Sequence, residues 1–217
     1  MEKSVLPLLL VSLLWVGCSN DSESDPPGNL PIPEVRTAIP DENFEAALVE
    51  FNLDDEVDGS VLTSRIEGVS NLDLEDRGIA DLTGIEDFKA LIDLNVRGNA
   101  LRRLDISSND KLLFVWAEDN QLSELLLGNN PGIEKIGASG NQLTSLVVAE
   151  YTSLQLLNLA DNALTGMDVS ALPIPSFREF NISGNPLTCI QVSAQQLENI
   201  PAAWTKDAED SYSLDCQ

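Results

Sequence analysis

The sequence predicts a mostly β, α+β solenoid: a right-handed superhelix of about six short coils between two terminal caps. Two observations support this fold class. A block of eleven residues recurs at intervals of 21 to 23 residues, and alternate residues within each block are apolar. A fixed period of this length indicates a repeat architecture. Because no single coil can bury its own apolar edge, the blocks must stack into one continuous core.

Each block obeys the pattern L-x-x-L-x-L-x-x-N-x-L, with Ile, Val, Phe or Ala allowed at the apolar places. The alternation inside the block predicts a short strand with one buried face. Asn occupies the ninth position, where its amide could hydrogen-bond the inner backbone of the coil. The repeats, which we place at 69–192, have the spacing of a leucine-rich repeat solenoid. The full blocks begin at Leu91, Leu112, Ile133, Leu154 and Phe177, after a degenerate copy at Val69.

A second apolar pair recurs later in every coil and predicts an extended segment on the opposite wall of the solenoid. The interval between the two segments leaves too few residues for a full helix on this convex side. The pairs are Leu104/Ile106, Leu125/Leu127, Leu146/Val148, Met167/Val169 and Ile190/Val192.

Residues 1–17 have the pattern of a bacterial export signal. Lys3 precedes an apolar run at 5–16, and a run of about a dozen residues is too short to span a bilayer but suits a secretory segment. The ending Trp15-Val16-Gly17-Cys18 resembles the lipobox, where cleavage leaves the cysteine to be acylated, although Trp15 stands where that motif usually has Leu. An ordinary cleaved signal peptide followed by an unrelated Cys18 is the alternative.

The segment 18–35 is rich in Ser, Asp, Glu and Pro, and it predicts a disordered tether with a reach of roughly 20–25 Å. Its acidic residues directly after Cys18 resemble the surface-export signal of lipoproteins from the Bacteroidetes group. Ser19 resembles outer-membrane sorting rather than inner-membrane retention. We therefore expect an exported chain that is held at the outer membrane only through a lipid on Cys18 and is exposed at the surface.

The segment 36–68 predicts an N-terminal helical cap. Residues 39–52 have an amphipathic helical pattern in which Asp41 is the N-cap and Phe44 and Leu48 lie on the buried face. The terminal coil of a solenoid would otherwise expose its apolar edge, so a cap is required at this end.

The acidic turn after this helix imitates the start of an EF-hand calcium loop, with side chains from Asp54, Glu56 and Asp58 before Gly59. The twelfth position of such a loop is a bidentate Glu, whereas this chain has Arg65 there. A solvated acidic turn is therefore the favoured interpretation, and calcium at these three carboxylates stays open. We expect no other metal and no cofactor.

The two remaining cysteines, Cys189 and Cys216, form an even pair in a chain that is exported to a disulfide-permissive compartment. A bond between them would pin the tail, 193–217, onto the end of the solenoid as a C-terminal cap. Trp204 and Tyr212 are large groups in this tail that could cover the last coil. Two free thiols are the alternative.

The composition excludes several classes of function. The chain has 12 basic and 36 acidic residues, and its net charge of −24 repels nucleic acid and favours cationic or neutral partners. The same acidity also keeps an exported protein soluble. The absence of histidine removes histidine-based triads and the commonest ligand of zinc and copper. We expect no enzymatic activity.

The chain resembles exported bacterial leucine-rich repeat lipoproteins with short, internalin-like coils. The resemblance covers essentially the whole chain beyond the tether, although Arg77 replaces the repeated Asn in the first coil. It implies a binding or adhesion module without catalytic residues, and we expect a monomer. The residues that carry it are the repeated Asn and the phrases Ile39-Pro40-Asp41-Glu42-Asn43-Phe44, Leu104-Asp105-Ile106-Ser107-Ser108-Asn109 and Leu187-Thr188-Cys189-Ile190-Gln191-Val192.

Two classes of function follow from this resemblance. The first is a surface-displayed binding module whose concave face holds a protein or a polysaccharide. The second is an architectural protein of the envelope with no discrete ligand site. A contiguous and chemically distinct patch on the concave face would favour the binding module over the architectural protein.

The outward positions of two neighbouring strands supply such a patch. Phe114 and Trp116 are predicted to face solvent side by side, with Lys135 and Gly137 on the next strand ~4.8 Å away. We expect Trp116 to stack against Gly137, and Arg97 and Lys135 to offset the acidic field locally. We therefore hypothesise that Phe114, Trp116, Arg97 and Lys135 form the ligand-contacting centre. In the alternative the register is shifted, and one aromatic ring belongs to the core.

Overall fold

The computed structural model describes residues 34–216, which form a solenoid of about six turns with few helices, as the sequence predicts. The predicted signal peptide, Cys18 and residues 18–33 of the predicted tether lie outside the described residues. The helices are α1 (Glu42–Glu50), α2 (Thr63–Ile66) and α3 (Ala194–Glu198), with a 3-10 helix at Ile85–Asp87. In this described part of the chain, no helix is long and apolar enough to cross a membrane. The strands are β1 (Arg36–Ala38), β2 (Ser60–Leu62), β3 (Asn71–Asp73), β4 (Asp93–Asn95), β5 (Arg103–Asp105), β6 (Phe114–Trp116), β7 (Glu124–Leu126), β8 (Lys135–Gly137), β9 (Leu156–Asn158), β10 (Met167–Asp168), β11 (Glu179–Asn181), β12 (Cys189–Gln191), β13 (Trp204–Thr205) and β14 (Ser211–Ser213).

The leading strand of each coil joins one parallel sheet that connects all the coils. Its order is β3-β4-β6-β8-β9-β11-β13, so each strand pairs with the strand of the next coil. The apolar positions of the repeated block point into the core, and Leu94, Val96, Val115 and Ala117 are all 0% exposed. The alternate residues point outward, and we call this outward side of the sheet the concave face.

The second extended segment of each coil forms the opposite wall, which we call the convex wall. There β5 pairs with β7, and β10, β12 and β14 form a second parallel sheet. The fourth coil departs from the expectation, because its segment around Leu146 and Val148 contains no strand. Val148 is still buried, but Val147 beside it is 77% exposed. The convex wall is therefore interrupted between β7 and β10.

Asparagine side chains join consecutive coils at the end of each concave strand, and we call this set the asparagine ladder. Asn120 is representative: its Nδ2 donates to the carbonyl of Val96 in the preceding coil at 2.9 Å, and its Oδ1 accepts the N–H of Leu101 at 3.1 Å. These bonds satisfy backbone groups that water cannot reach. Equivalent bonds are made by Asn99, Asn141, Asn162 and Asn185.

Arg77 occupies the ladder position of the first coil. Its guanidinium forms an ion pair with Glu50 of α1 and lies 5.4 Å from the ring centroid of Phe51. The hydrogen bond from Arg77, and then its charge, lowers the pKa of the Glu50 carboxyl. The first coil has no preceding coil for an amide to reach, and the arginine links it to the cap helix instead.

Helix α1 covers the N-terminal end of the core. Asp41 caps the helix as predicted, since its Oδ1 accepts two backbone N–H groups of the first turn at 3.0 Å each. Its Oδ2 accepts the N–H groups of Ala80 and Asp81 at 2.8 and 3.0 Å, so one carboxylate joins the helix to the first coil. Phe44 of the helix packs on Phe88, with ring centroids 6.1 Å apart.

The acidic turn after α1 contains a buried carboxylate. Asp54 is 5% exposed, and within residues 34–216 neither of its carboxylate oxygens has a hydrogen-bond partner in good geometry. Burial raises the pKa of this carboxyl, and the nearby carboxylates of Asp55 and Glu45 raise it further. The turn therefore holds one acidic group whose ionised form is poorly solvated.

The other acidic groups of this turn are used differently. Glu56 is exposed, and Asp58 accepts the N–H of Ser60 at 3.0 Å. Glu45 of α1 accepts the N–H groups of Gly59 and Ser60 at 2.7 and 2.8 Å, which ties the turn to the helix. Among the described residues, no three His, Cys, Asp or Glu side chains group together in a way that could hold a metal ion.

The C-terminal end is closed by a further coil rather than by an irregular tail, because β13 and β14 extend both walls. Trp204 is 7% exposed, and its ring centroid lies 5.1 Å from that of Phe177 and 5.5 Å from that of Phe180. The predicted disulfide between Cys189 and Cys216 is confirmed, with the Cα atoms 5.8 Å apart and a separation of 27 residues. On the loop-entropy model a closed loop of this length contributes about 3–4 kcal/mol.

We predict that Asn120→Ala lowers the free energy of unfolding by about 2–4 kcal/mol, because each buried backbone group left unpaired costs about 1–3 kcal/mol. The matched control is Asn129→Ala, which removes an exposed amide from a loop and should change stability by less than about 0.5 kcal/mol. Chemical denaturation followed by circular dichroism measures both. Equal stability of the two variants would contradict the role of the ladder.

We also predict that Asp54→Asn raises the melting temperature at pH 7. The pKa of Asp54 in the folded protein lies above the ordinary value of 3.8, so its ionisation opposes folding above that pH and has no effect well below it. The gain should be roughly 2–4 °C for each kcal/mol recovered and should vanish near pH 3 or below. Calorimetry across this pH range measures it, with Glu56→Gln as the exposed control.

The same melting experiment, repeated with calcium and with a chelator, decides the open question of a cation at this turn. If calcium raises the melting temperature of the unmodified protein and Asp54→Asn removes that rise, the carboxylate holds a cation. In that case Asp54→Asn destabilises the calcium-loaded protein, and the predicted rise in its melting temperature is wrong.

Candidate binding site on the concave face

The concave face carries the aromatic pair at the positions that the sequence predicts. Phe114 and Trp116 of β6 lie half-buried on the outward side, while Val115 between them is 0% exposed and belongs to the core. Asn95 of β4 and Gly137 of β8 are level with Trp116 on either side. The strand register is therefore the predicted one, and neither ring is part of the core.

The basic residues of the predicted centre are engaged with neighbouring side chains. The Nζ atom of Lys135 lies over the ring of Phe114, 5.5 Å from its centroid, where an ammonium and an aromatic face attract each other. The Nε atom of Arg97 lies 3.6 Å from Oε2 of Glu118. The four predicted residues thus lie on one part of the face, and the ring of Trp116 stands at the strand position between these two pairs.

Glu118, rather than Trp116, fills the space above Gly137, so the expected stacking of Trp116 on this glycine is not what the structure has. A side chain added at Gly137 would first meet the carboxylate of Glu118. The Glu118 side chain is only 12% exposed, and Arg97 is the cation beside it. The missing side chain at Gly137 leaves room into which a long and flexible carboxylate folds, whereas the rigid indole stays on its own strand.

Trp116 separates two shallow grooves of about 260 Å³ each. The N-terminal groove lies over β3 and β4, and the C-terminal groove lies over β9 and β11. Each contains two carboxylates and two amides, and within the described part of the chain no lysine or arginine lines either groove. The polar side chains are Asn71, Asp73, Asp93 and Asn95 in the N-terminal groove, and Glu118, Asn158, Glu179 and Asn181 in the C-terminal groove.

One carboxylate in each groove has no partner within residues 34–216, namely that of Asp93 and that of Glu179. Two of the amides are held in place, since Asn95 donates to Asp73 at 2.9 Å and Asn181 accepts the Oγ–H of Ser183 at 2.8 Å. The carboxylates of Asp93 and Glu179, together with the exposed amide of Asn71, are therefore the polar groups most available to a ligand.

Two larger grooves lie on the convex wall, but they are weaker candidates. The first, of about 550 Å³, includes Arg103, whose guanidinium is already paired with Glu124 at 2.7 Å. The second, of about 730 Å³, lies beside Val147, where the hydroxyl of Tyr151 donates to the carbonyl of Gly128 at 2.6 Å. In the first groove Arg103 is also paired with Asp105 of the same groove at 2.9 Å, and the second groove lies where the convex wall is interrupted.

The acidic residues of the grooves were placed on the outward side by the sequence pattern but were not selected as site residues. The sequence predicts Arg97 and Lys135 as site residues instead, because they offset the acidic field locally. A count of charge along the outward rows could have drawn attention to Asp93 and Glu179. It could not have shown that Arg97 is paired with Glu118.

Comparison with solved structures finds a similar fold in a bacterial leucine-rich repeat domain. The functional domain of InlJ from Listeria monocytogenes matches with a TM-score of 0.59 at 23% sequence identity, over 83% of this chain and 48% of that chain. The leucine-rich repeat protein LIC12759 of Leptospira interrogans matches with a TM-score of 0.48 at 23% sequence identity, over 59% of this chain and 38% of that chain. An internalin (inlF) from Listeria monocytogenes matches with a TM-score of 0.41 at 18% sequence identity, over 81% of this chain and 71% of that chain.

This likeness concerns the fold. The chain spans about half the length of the InlJ domain and less than half that of the Leptospira protein. No protein-family model matches the chain, and no curated protein matches it. The overlap with the InlJ domain agrees with the repeat geometry described above, and the chain has the architecture of an internalin-like leucine-rich repeat solenoid.

Proposed function

We propose that this protein is a non-catalytic recognition module that binds a protein or a polysaccharide through its concave face. The observation that carries the proposal is the half-buried Trp116 between two grooves on the outward side of the long sheet. Phe114 extends the aromatic surface on the same strand. Aromatic groups held open to solvent on a highly charged protein favour contact with another molecule.

The surroundings of Trp116 support a recognition role. Tryptophan and arginine are the residue types that most often dominate binding energy, and they act best where a rim of other groups excludes water. Here Lys135 rests on Phe114 and Arg97 on Glu118, so the neighbours of Trp116 are held in place before a ligand arrives. Such preorganisation reduces the entropy lost on binding.

Catalysis is not part of the proposal. The chain has no histidine, and the grooves are shallow, with Asp73 and Glu179 exposed to water. Acid–base catalysis by carboxylates uses enclosed sites that shift their protonation, and such sites are usually concave pockets. We assign no cofactor.

The anchor belongs to the proposal as well. The Cys18 motif and the acidic segment behind it support export and lipid attachment at the outer membrane, with the solenoid displayed at the surface as a monomer.

We predict that Trp116→Ala abolishes ligand binding, with a loss of about 2 kcal/mol or more in binding free energy. Its melting temperature should stay close to that of the unmodified protein, because the ring is outside the core. Arrays of proteins and of glycans, followed by calorimetry on any hit, measure the binding. The matched control is Val147→Ala, which truncates an exposed apolar residue on the convex wall and should keep full affinity.

Two results would count against the binding face. If Trp116→Ala binds a hit from the arrays as tightly as the unmodified protein, the site lies elsewhere. If no protein or glycan binds at all, the architectural alternative takes the place of the recognition module.

We further predict that Cys18 carries lipid. Mass spectrometry of the protein extracted from membranes should find an amino-terminal cysteine with at least two acyl chains, because one chain alone gives only marginal membrane binding. Cys18→Ser should appear in the soluble fraction instead. An unmodified amino terminus at Cys18 or Ser19 would rule out the anchor.

A further inference from the structure

The two grooves beside Trp116 are acidic, and this restricts the chemistry of a ligand. Each groove contains two carboxylates, and none of the lysines and arginines among residues 34–216 lines either one. The chain as a whole has a net charge of −24, and Lys135, the nearest basic residue without an ion pair, lies between the grooves rather than in them. A ligand group that enters a groove meets an aromatic ring together with negative charge.

The basic side chains on this part of the face are occupied. Arg97 faces Glu118 at 3.6 Å, and Lys135 rests on the ring of Phe114. Asp93 in the N-terminal groove and Glu179 in the C-terminal groove have no partner among the described residues. Within residues 34–216, Asp73 accepts hydrogen bonds only from neutral groups. Two carboxylates without an ion pair therefore remain in the N-terminal groove, and one remains in the C-terminal groove.

Trp116 supplies the other half of a site for a cation. Indole attracts a cation over its face more strongly than the rings of Phe or Tyr do. A guanidinium suits the site better than an ammonium, because it is planar, stacks on an aromatic ring and offers paired N–H donors to a carboxylate.

A neutral sugar fits the grooves less well. It would need the amides, and in the N-terminal groove Asn95 already donates to Asp73 and Glu75 at 2.9 and 3.0 Å, which leaves only the amide of Asn71 to it. It would also leave the carboxylates of Asp93 and Glu179 without compensation. The charges and the hydrogen bonds therefore favour a basic protein segment over a neutral glycan.

We infer that the ligand is a basic protein segment in extended form, whose arginine side chains enter the two grooves on either side of Trp116. This inference rests on the proposed function, since it names the ligand class for the same face. Asp93 and Glu179 lie on the same row of the sheet, separated by four strand steps. At ~4.8 Å per step these span ~19 Å, and two arginines six positions apart in an extended peptide span roughly 20 Å.

The experiment is a titration of the isotope-labelled protein with two capped heptapeptides, followed by NMR. One peptide has arginine at both ends with glycine and serine between, and the other has neutral citrulline in place of each arginine. The indole signal of Trp116 is identified by its loss in Trp116→Phe. This signal should shift with the arginine peptide, which should bind at least about tenfold more tightly than the citrulline peptide.

Three variants separate the grooves from general attraction to an acidic protein. Asp93→Asn and Glu179→Gln should each weaken the binding of the arginine peptide by about tenfold. Asp110→Asn removes the same charge from an exposed turn outside the concave face, and it should change the affinity by less than about twofold.

Equal affinity for the two peptides, or an equal effect of Asp93→Asn and Asp110→Asn, would overturn the basic ligand. A parallel titration with the neutral oligosaccharide cellohexaose separates this failure from failure of the proposed function. If cellohexaose shifts the Trp116 signal and the arginine peptide does not, the face binds a glycan and only the present inference is wrong. If Trp116→Ala binds its array ligands unchanged, the proposed function itself is wrong.

Discussion

The structure depends on the pairing of the inner backbone of each coil by asparagine side chains. A coil this narrow turns its backbone carbonyl and N–H groups toward an interior that water does not enter, and each unpaired group would cost stability. Asparagine carries both a donor pair and an acceptor on one short side chain, so a single residue can serve its own turn and the preceding coil. In Asn120 the Nδ2 atom donates to the carbonyl of Val96 in the preceding coil, and Oδ1 accepts the N–H of Leu101. Adjacent coils are thereby held in one register.

The concave face follows from this register. Once each strand is fixed beside the next, its outward residues fall into rows that cross the sheet, and every row combines side chains from distant parts of the chain. Trp116 is level with Asn95 and Gly137 for this reason. The contacts that define the face are therefore contacts between coils, as in the approach of Arg97 to Glu118. A binding surface of this kind is a property of stacked repeats, and no single repeat contains it.

At the two ends and on the convex wall, the coils are not held by the asparagine ladder. At the N-terminal end Arg77 replaces the amide and contacts Glu50 of the cap helix, and at the C-terminal end a disulfide holds the last coil. On the convex wall the side-chain amides of Asn109 and Gln196 also donate to carbonyls of the preceding coil. This wall is nevertheless interrupted in the fourth coil, where Val147 points outward. The concave sheet stays continuous across the same coil. The wall whose sheet stays continuous is the wall that carries the candidate site.

The sequence by itself determined the features that depend on period and on local chemistry. The spacing of the blocks predicted the coils, the alternation placed Phe114 and Trp116 on the outward side, and Asp41 and the pair of cysteines were recognisable from their positions. These features follow from the chain's own backbone geometry, which repeats regularly. The tertiary structure decided which long side chains neutralise each other. The carboxylate of Glu118 lies in the space above Gly137 and beside Arg97, which follows β4 of the preceding coil. The burial of Asp54 was also decided in three dimensions, because it depends on how the acidic turn packs against the cap helix.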